Sequence, residues 1–391
     1  MKVGVVTTSY PRWPGDPAGS FVAGFARWLA AQGHQVQVLA AGPGGASDGP
    51  IPVTRIGAGA GLFYGEGAPE RLERSTLARL RAPVFAAALA AAVRRHSSGW
   101  DAVASHWLAP SGLAVALAAP RLPHLAIAHS ADVHLLSRSG LADAAAWTLA
   151  RTRACPVFVA EHLRTRFLAA VRSGATRSLL EKRSTVCPMG IDAVALTAAR
   201  SGDHASARRE LGLPPEGPLV AALGRLVPVK GLPVLLEAMR ELPGHTLAVA
   251  GAGPERAALE VRARELGLEA HFLGEVQGTR RDALLAAADV LTVPSVPRPT
   301  GRTEGTPVVV LEALAAGLPL VASEIGGIID VAGDVALLVP PGCPASLARA
   351  IAEVRSDPTA AAGRVASGRA RAAAWDWSTL GPRLFTHLSL H

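Results

Sequence analysis

Lysine is nearly absent from this 391-residue chain: it stands at positions 2, 182 and 230 only, against 36 arginines. Aromatic residues make up 4%, too few for the stacking platforms that single-stranded nucleic acid requires. The basic residues are scattered and no recognition motif accompanies them, so nucleic acid is excluded as a partner. Cys155, Cys187 and Cys343 are isolated and odd in number. That excludes a disulfide framework or a cysteine metal site, and points to a reducing compartment with buried packing for each thiol. A long hydrophobic run is missing too. Met1–Val6 is too short for a leader peptide, and the apolar stretch Ala82–Val93 falls short of the ~20 residues that cross a bilayer. The expected location is cytoplasmic, either soluble or peripheral on the inner face of the cell membrane. No Asp-x-Asp pair occurs, and neither a metal nor a resident cofactor is expected.

What the chain does have is apolar substance: 49% of its residues are hydrophobic, enough for two packed cores at this length. Its charge is uneven. Residues 1–200 hold 21 Lys and Arg against 11 Asp and Glu, whereas residues 201–391 hold 18 against 20. A basic first half beside a near-neutral second suggests an anionic partner for the first, either a phospholipid surface or a phosphorylated acceptor. A solvated basic surface in an arginine-rich chain is the other reading. The stretch Glu161–Arg183, with Arg164, Arg166, Arg172, Arg177, Lys182 and Arg183 among apolar residues, is the expected membrane contact.

Strand, loop and helix alternate along the sequence, which predicts an α/β protein with parallel sheets. In the first series, strands are expected at Lys2–Thr7, Gln35–Ala40, Asp101–Ser105 and His124–Ala128, with a helix over Ser20–Ala31. A second series starts near Pro218, with strands at Leu219–Leu223, Leu247–Ala250, His271–Leu273, Val290–Val293, Leu320–Ala322 and Ala336–Val339. Helices are expected between them at Pro233–Leu242, Pro254–Leu266, Thr279–Ala287 and Pro307–Ala316. The polar, poorly patterned Gly190–Gly217 is read as a hinge. The expected architecture is two Rossmann-like domains, residues 1–195 and 196–370, facing across a cleft. A C-terminal helix over 371–391, carrying Trp375 and Trp377, returns to the first.

Three segments carry the chemistry. In Gly301–Glu312 (GRTEGTPVVVLE), Thr306 is a good helix N-cap and Pro307 a good first helical residue. Gly305 permits close backbone approach. The N–H groups of Gly305, Thr306 and Val308 at the positive end of the helix dipole form an anion site. Glu304, just outside that end, would repel a phosphate and suits the hydroxyls of a sugar beside it. Glu312 leans back toward the same ligand from inside the helix and suits vicinal ribose hydroxyls. In Gly224–Gly231 (GRLVPVKG), Arg225 and Lys230 follow a strand and form a cationic phosphate clamp. A lysine kept where arginine is the habit hints that arginine will not serve there. Gly251-Ala252-Gly253 is a dinucleotide-type turn lacking its third glycine. In the first half, Gly19 and Ser20 begin a helix after a Pro/Gly-rich loop, either facing a phosphate or closing a tight turn. His129 ends a strand, with His106 and Asp132 as lesser candidates.

The ordered set Glu304-Gly-Thr-Pro…Leu-Glu312-Ala-Leu-Ala-Ala-Gly-Leu-Pro, with Val293-Pro294-Ser295, Ser323–Gly327 and Leu338–Gly342, resembles the retaining GT-B glycosyltransferases of family 4. The resemblance covers nearly the whole chain and is strongest from Leu223 to Ala350. It implies transfer of a sugar from a GDP- or UDP-linked donor to an acceptor hydroxyl. The acceptor would be lipid-linked or a saccharide, in envelope polysaccharide or glycolipid biosynthesis. It places Arg225 and Lys230 on the donor diphosphate, the Gly253 turn beside the nucleotide and Leu273–Val276 near the base. His129 matches a His-Gly-x-Asp pattern whose glycine is replaced by Ser130, and is assigned to the reacting sugar, either by hydrogen bond or by charge stabilisation. Glu304, His129, Arg225 and Lys230 are thus the expected catalytic residues. A nucleotide-sugar epimerase of the same fold, an NAD-dependent oxidoreductase and a soluble natural-product glycosyltransferase are the alternatives.

Overall fold

Short runs of Val, Ala and Leu buried on both faces become the strands of two separate parallel sheets, as such runs must when helices cover both sides. A computed structural model describes residues 1–43, 46–65, 67–200 and 203–389. The chain divides into one unit formed by Met1–Gly190 with Trp377–His391 and another formed by Ile191–Asp376. The divisions lie a few residues from 195/196 and 370/371.

The first unit contains β1 (Lys2–Thr7), β2 (Gln35–Ala41), β3 (Ala46–Asp48), β4 (Ile51–Ile56), β5 (Ala102–His106), β6 (His124–Ala128), β7 (Ala154–Phe158) and β8 (Thr185–Val186). They lie in the order β3-β4-β2-β1-β5-β6-β7-β8, all parallel except the β3–β4 hairpin at the edge. That hairpin and β7 escaped the sequence reading; β3 is three residues long and β7 carries a proline. The Trp100 ring lies so close over Gly4 in β1 that any side chain there would overlap it.

The second unit contains β9 (Leu219–Leu223), β10 (Thr246–Ala250), β11 (Ala270–Gly274), β12 (Val290–Val293), β13 (Leu320–Ser323) and β14 (Leu337–Val339), in the order β11-β10-β9-β12-β13-β14 and all parallel. Along β9, Leu219 and Ala221 enter one core while Val220 and Ala222 enter the other, so both faces are packed. Each sheet is doubly wound, and its order reverses once, between β1 and β5 or between β9 and β12. Open α/β sheets bind ligands at the strand ends beside such a reversal.

The expected hinge is not a linker. Two helices, Ala193–Arg200 and His204–Leu211, occupy much of it and pack on the second unit, whereas Ser201 and Gly202 lie outside the described residues. Its polar character has a structural use. The Arg200 guanidinium donates to the carbonyls of Leu285, Ala286 and Ala288 at the end of helix Thr279–Ala287. Arg208, buried, donates to the Ala287 and Gly217 carbonyls and pairs with Asp289 at 3.0 Å.

The last helix, Trp377–Ser389, buries Leu380, Leu384 and Leu388. Gly381 lets it approach the Trp28 ring, and the Phe385 ring stacks on His34 with centroids 4.6 Å apart. The Trp377 ring covers Gly24 and Gly190, both in the first unit. Replacing Trp377 with Ala should therefore cost the first unit about 3 kcal/mol. A denaturation midpoint unchanged from the parent in guanidinium titration would contradict this role.

Candidate functional site

At the reversal in the second unit, β9 and β12 lie side by side, and residues at and beyond their ends line a shallow, open hollow. Gly224, Arg225, Lys230, Ala250 and Pro294 line it. The turns are locked backbone to backbone. Gly224 N–H donates to the Ala250 carbonyl at 3.0 Å and Leu226 N–H to the Ala252 carbonyl at 2.8 Å. A Cβ on Gly251 would run into the Gly224 carbonyl, and one on Gly231 into the Pro294 carbonyl. Gly253 likewise lies against the Leu226 carbonyl. The Gly-Ala-Gly turn therefore has a packing reason of its own, which is to hold the Gly224–Leu226 turn in place.

This clamping brings Lys230, after β9, to Glu304, after β12: Nζ lies 2.9 Å from Oε1, with both side chains largely buried. Ser295 Oγ donates to the same oxygen at 3.2 Å. An ammonium carries three N–H donors. It can thus hold Glu304 and still donate to an anion. Arg225 is exposed at the rim of the same hollow.

The helix beside Glu304 is Val308–Ala316, and Pro307, in extended conformation (φ −65°, ψ 121°), is its cap. This corrects the expectation of Thr306 as cap and Pro307 as first helical residue. A residue preceding proline is steered away from helical backbone, and Pro307 itself stays extended, so the helix starts one residue later. Gly305 is buried, and its carbonyl accepts from Gly327 N–H at 3.0 Å, tying the segment to the next loop.

Glu312 does not stand alone. Arg281, on helix Thr279–Ala287, donates to its Oε1 at 3.1 Å and to Asp282 at 2.8 Å. Burial raises the Glu312 pKa, and the Arg281 charge pulls part of that rise back. A carboxylate kept for ribose hydroxyls would thus be oriented and held ionised by an arginine that sequence reading missed. Val276 is 2% exposed and belongs to the core, so only its backbone is open to a ligand.

The first unit has its own polar cluster. His106 at the end of β5 and His129 after β6 are joined, Nδ1 to Nε2, at 3.3 Å, and Phe21 and Trp107 lie over His129. Burial pushes the His129 pKa down to about 3 and that of His106 well below its ordinary value. His129 is therefore a neutral hydrogen-bonding group at physiological pH, not a cation. Asp132 serves the backbone: it accepts from His129 N–H at 3.0 Å and Leu108 N–H at 2.6 Å. Trp107 between them has φ 69°, a left-handed conformation that costs a bulky side chain energy.

Gly19, at φ 67°, caps helix Ser20–Ala31 and lies against the Ser9 carbonyl, a packing demand no side chain would meet. The loop before it is rigid. Buried Asp16 accepts from Arg12 and Ala18 N–H, and Arg55 holds the Tyr10 and Pro11 carbonyls. Neither partner is signalled by a motif.

The expected membrane stretch is largely committed elsewhere. Arg164 binds Ser184 and the Glu181 carbonyl, Arg172 pairs with Asp143, and Arg183 donates to the Ala150 and Thr152 carbonyls. These arginines fasten the helices Glu161–Ala169 and Gly174–Arg183 to their neighbours.

Two doubly wound units, one with a cationic, backbone-clamped hollow at its strand reversal, define a protein of the nucleotide-handling α/β class. Family models match both: Glycosyltransferase Family 4 over residues 18–194 and Glycosyl transferases group 1 over residues 203–371. The chain belongs to the family 4, group 1 glycosyltransferases. It is 33% identical over 204 residues to a GDP-mannose-dependent monoacylated α-(1-6)-phosphatidylinositol monomannoside mannosyltransferase of Corynebacterium glutamicum (50% of this chain, 54% of that one). It is 32% identical over 215 residues to a 2-deoxystreptamine glucosyltransferase of Streptomyces kanamyceticus (53% of each). These matches span about half the length of either relative. Anabaena HepE in complex with UDP-glucose shares the GT-B fold over 100% of both chains, with a TM-score of 0.75 at 21% identity.

Replacing Arg281 with Gln should weaken binding of a nucleotide diphosphate about tenfold, the worth of one charge-assisted hydrogen bond. The loss should be greatest at acidic pH, because Glu312 without its partner is harder to ionise. Calorimetric titration with UDP and GDP across pH checks both. Equal loss at every pH would mean that Arg281 does not act through the Glu312 charge.

Proposed function

We propose that this chain is a retaining, metal-independent hexosyltransferase that moves a sugar from a GDP- or UDP-linked donor to an acceptor hydroxyl. The observation that carries the proposal is the Lys230–Glu304 pair at the β9/β12 reversal, a cation and a carboxylate fixed together at a helix end. Anionic diphosphate and neutral sugar hydroxyls need those two groups side by side.

The donor diphosphate would lie against Lys230, Arg225 and the backbone N–H groups of Gly305, Thr306 and Val308 beside Pro307. As the glycosidic bond breaks, negative charge grows on the departing phosphate and positive charge on the anomeric carbon. Preorganised donors of this kind each contribute ~3 kcal/mol, about a hundredfold in rate. Glu304 would hold the transferred sugar by its hydroxyls, and Glu312, oriented by Arg281, the ribose. The leaving phosphate takes the acceptor proton on the face it vacates, so configuration is retained without a protein nucleophile. Neutral His129 would hydrogen-bond the reacting sugar. Two fixed cations beside the diphosphate supply the charge that a divalent ion would otherwise bring.

A lipid-linked acceptor in glycolipid or envelope polysaccharide assembly, met at the cytoplasmic face of the membrane, is supported by the Corynebacterium relative, whose name gives a phosphatidylinositol mannoside. The Streptomyces relative, named for 2-deoxystreptamine, favours a soluble acceptor as the second reading. UDP-glucose in the Anabaena structure and GDP-mannose in the Corynebacterium name keep both donor bases open.

UDP or GDP at about a hundred times its dissociation constant should stabilise the fold by ~2.7 kcal/mol, seen as a raised melting temperature. Stabilisation by NAD instead would overturn the proposal. Lys230→Ala should lower turnover of the nucleotide sugar so identified at least a hundredfold while leaving the circular dichroism unchanged. Full activity in that variant removes the clamp. EDTA should leave turnover intact; its abolition refutes metal independence.

A further inference from the structure

By length and composition, the stretch Thr76–Gly99 qualifies to cross a membrane. The reason is that the helix Thr76–His96 extends the apolar run Ala82–Val93 at both ends. One face of this helix is part of the fold. Phe85, Leu89 and Val93 are fully buried and pack in one core with Val6, Leu39 and Val103 of the sheet. In the fold the helix lies against its unit through these three side chains.

Its opposite face is the notable one. Leu77 is 52%, Leu80 70% and Val84 57% exposed. Ala87 and Ala91, also exposed, continue the line. The spacing of three, four, three and four residues sets all five on one stripe of a helix. At 21 residues the helix is about 30 Å long. Exposed Arg81 and Arg95 flank the stripe on one side and exposed Arg94 on the other, Arg79 being engaged with the Leu72 carbonyl, and the helix contains no Asp or Glu.

We propose that this face is a docking surface for a membrane bearing anionic phospholipid headgroups. Leu77, Leu80 and Val84 enter the acyl boundary, and Arg81, Arg94 and Arg95 meet the phosphates. The charges decide between occupants. In a symmetric pair of such helices these arginines would face one another with no carboxylate on either helix to offset them, which disfavours a second copy of this chain. The membrane contact of the proposed function thereby moves from Glu161–Arg183, whose arginines are engaged within the fold, to Thr76–His96. In that sense the inference rests on the lipid-acceptor reading, but it requires no particular donor.

Sedimentation of the full chain with vesicles of equal phosphatidylcholine and phosphatidylglycerol, against pure phosphatidylcholine, tests it. The chain should bind the anionic vesicles only, and less as salt rises. Leu80→Glu combined with Val84→Glu should abolish binding. Arg81→Ala and Arg95→Ala should each weaken it about fivefold, whereas Lys182→Glu should leave it near the parent level. All these variants should keep the nucleotide-induced rise in melting temperature, so that failure here is distinguishable from failure of the donor reading. The proposal falls if the parent ignores anionic vesicles, if the double variant still binds, or if Lys182→Glu alone abolishes binding. It also falls if the parent is a dimer that the double variant turns into a monomer.

Discussion

Backbone contact without side chains is the constraint on which the hollow of the second unit depends. Gly251 against the Gly224 carbonyl and Gly231 against the Pro294 carbonyl set the turns after β9, β10 and β12 at distances no larger residue permits. Because the turns cannot spread, Lys230 and Glu304 meet although 74 residues separate them in sequence. The ion pair is a consequence of packing. A long lysine and a glutamate left on mobile loops would lose too much side-chain freedom for such a contact to last.

The two units handle charge in opposite ways. In the second, charges are gathered at the strand reversal and paired, Lys230 with Glu304 and Arg281 with Glu312. In the first, burial strips the charge from the groups at the strand ends, leaving His106 and His129 as neutral rings among aromatics. A site prepared for a diphosphate needs fixed positive charge. If the first unit meets the transferred sugar as proposed, it needs hydrogen bonds without a field that would draw a phosphate to it.

Much of this was legible in the sequence, for local reasons. The two α/β series, Lys230 after a strand, and Glu304 and Glu312 around a helix start all follow from neighbours a few residues away. What was not legible depends on distant neighbours. Arg281 meets Glu312 across 31 residues, and no pattern marks it among the arginines. Arg200 and Arg208 made Gly190–Gly217 look like a solvated hinge, when they close the carbonyl end of a helix some 80 residues on. In the basic stretch Glu161–Arg183, composition likewise did not reveal that Arg164 and Arg183 are bound to carbonyls. Val276 was assigned by its segment, and only its burial separates backbone from side chain.

The chain enters the second unit at Ile191 and leaves it at Asp376, where Ile191 and Asp376 form a bridge and Asp376 accepts from Ala193 N–H at 2.8 Å. The second unit is thus an insertion into the first, with its two ends tied together. During synthesis the first unit must wait: its core near Trp28 and Gly24 stays uncovered until Trp377–Ser389 has emerged, after the whole inserted unit. The inserted unit has all its strands by residue 339 and can close on itself beforehand. The first unit is therefore completed only after the whole of the inserted unit has been made.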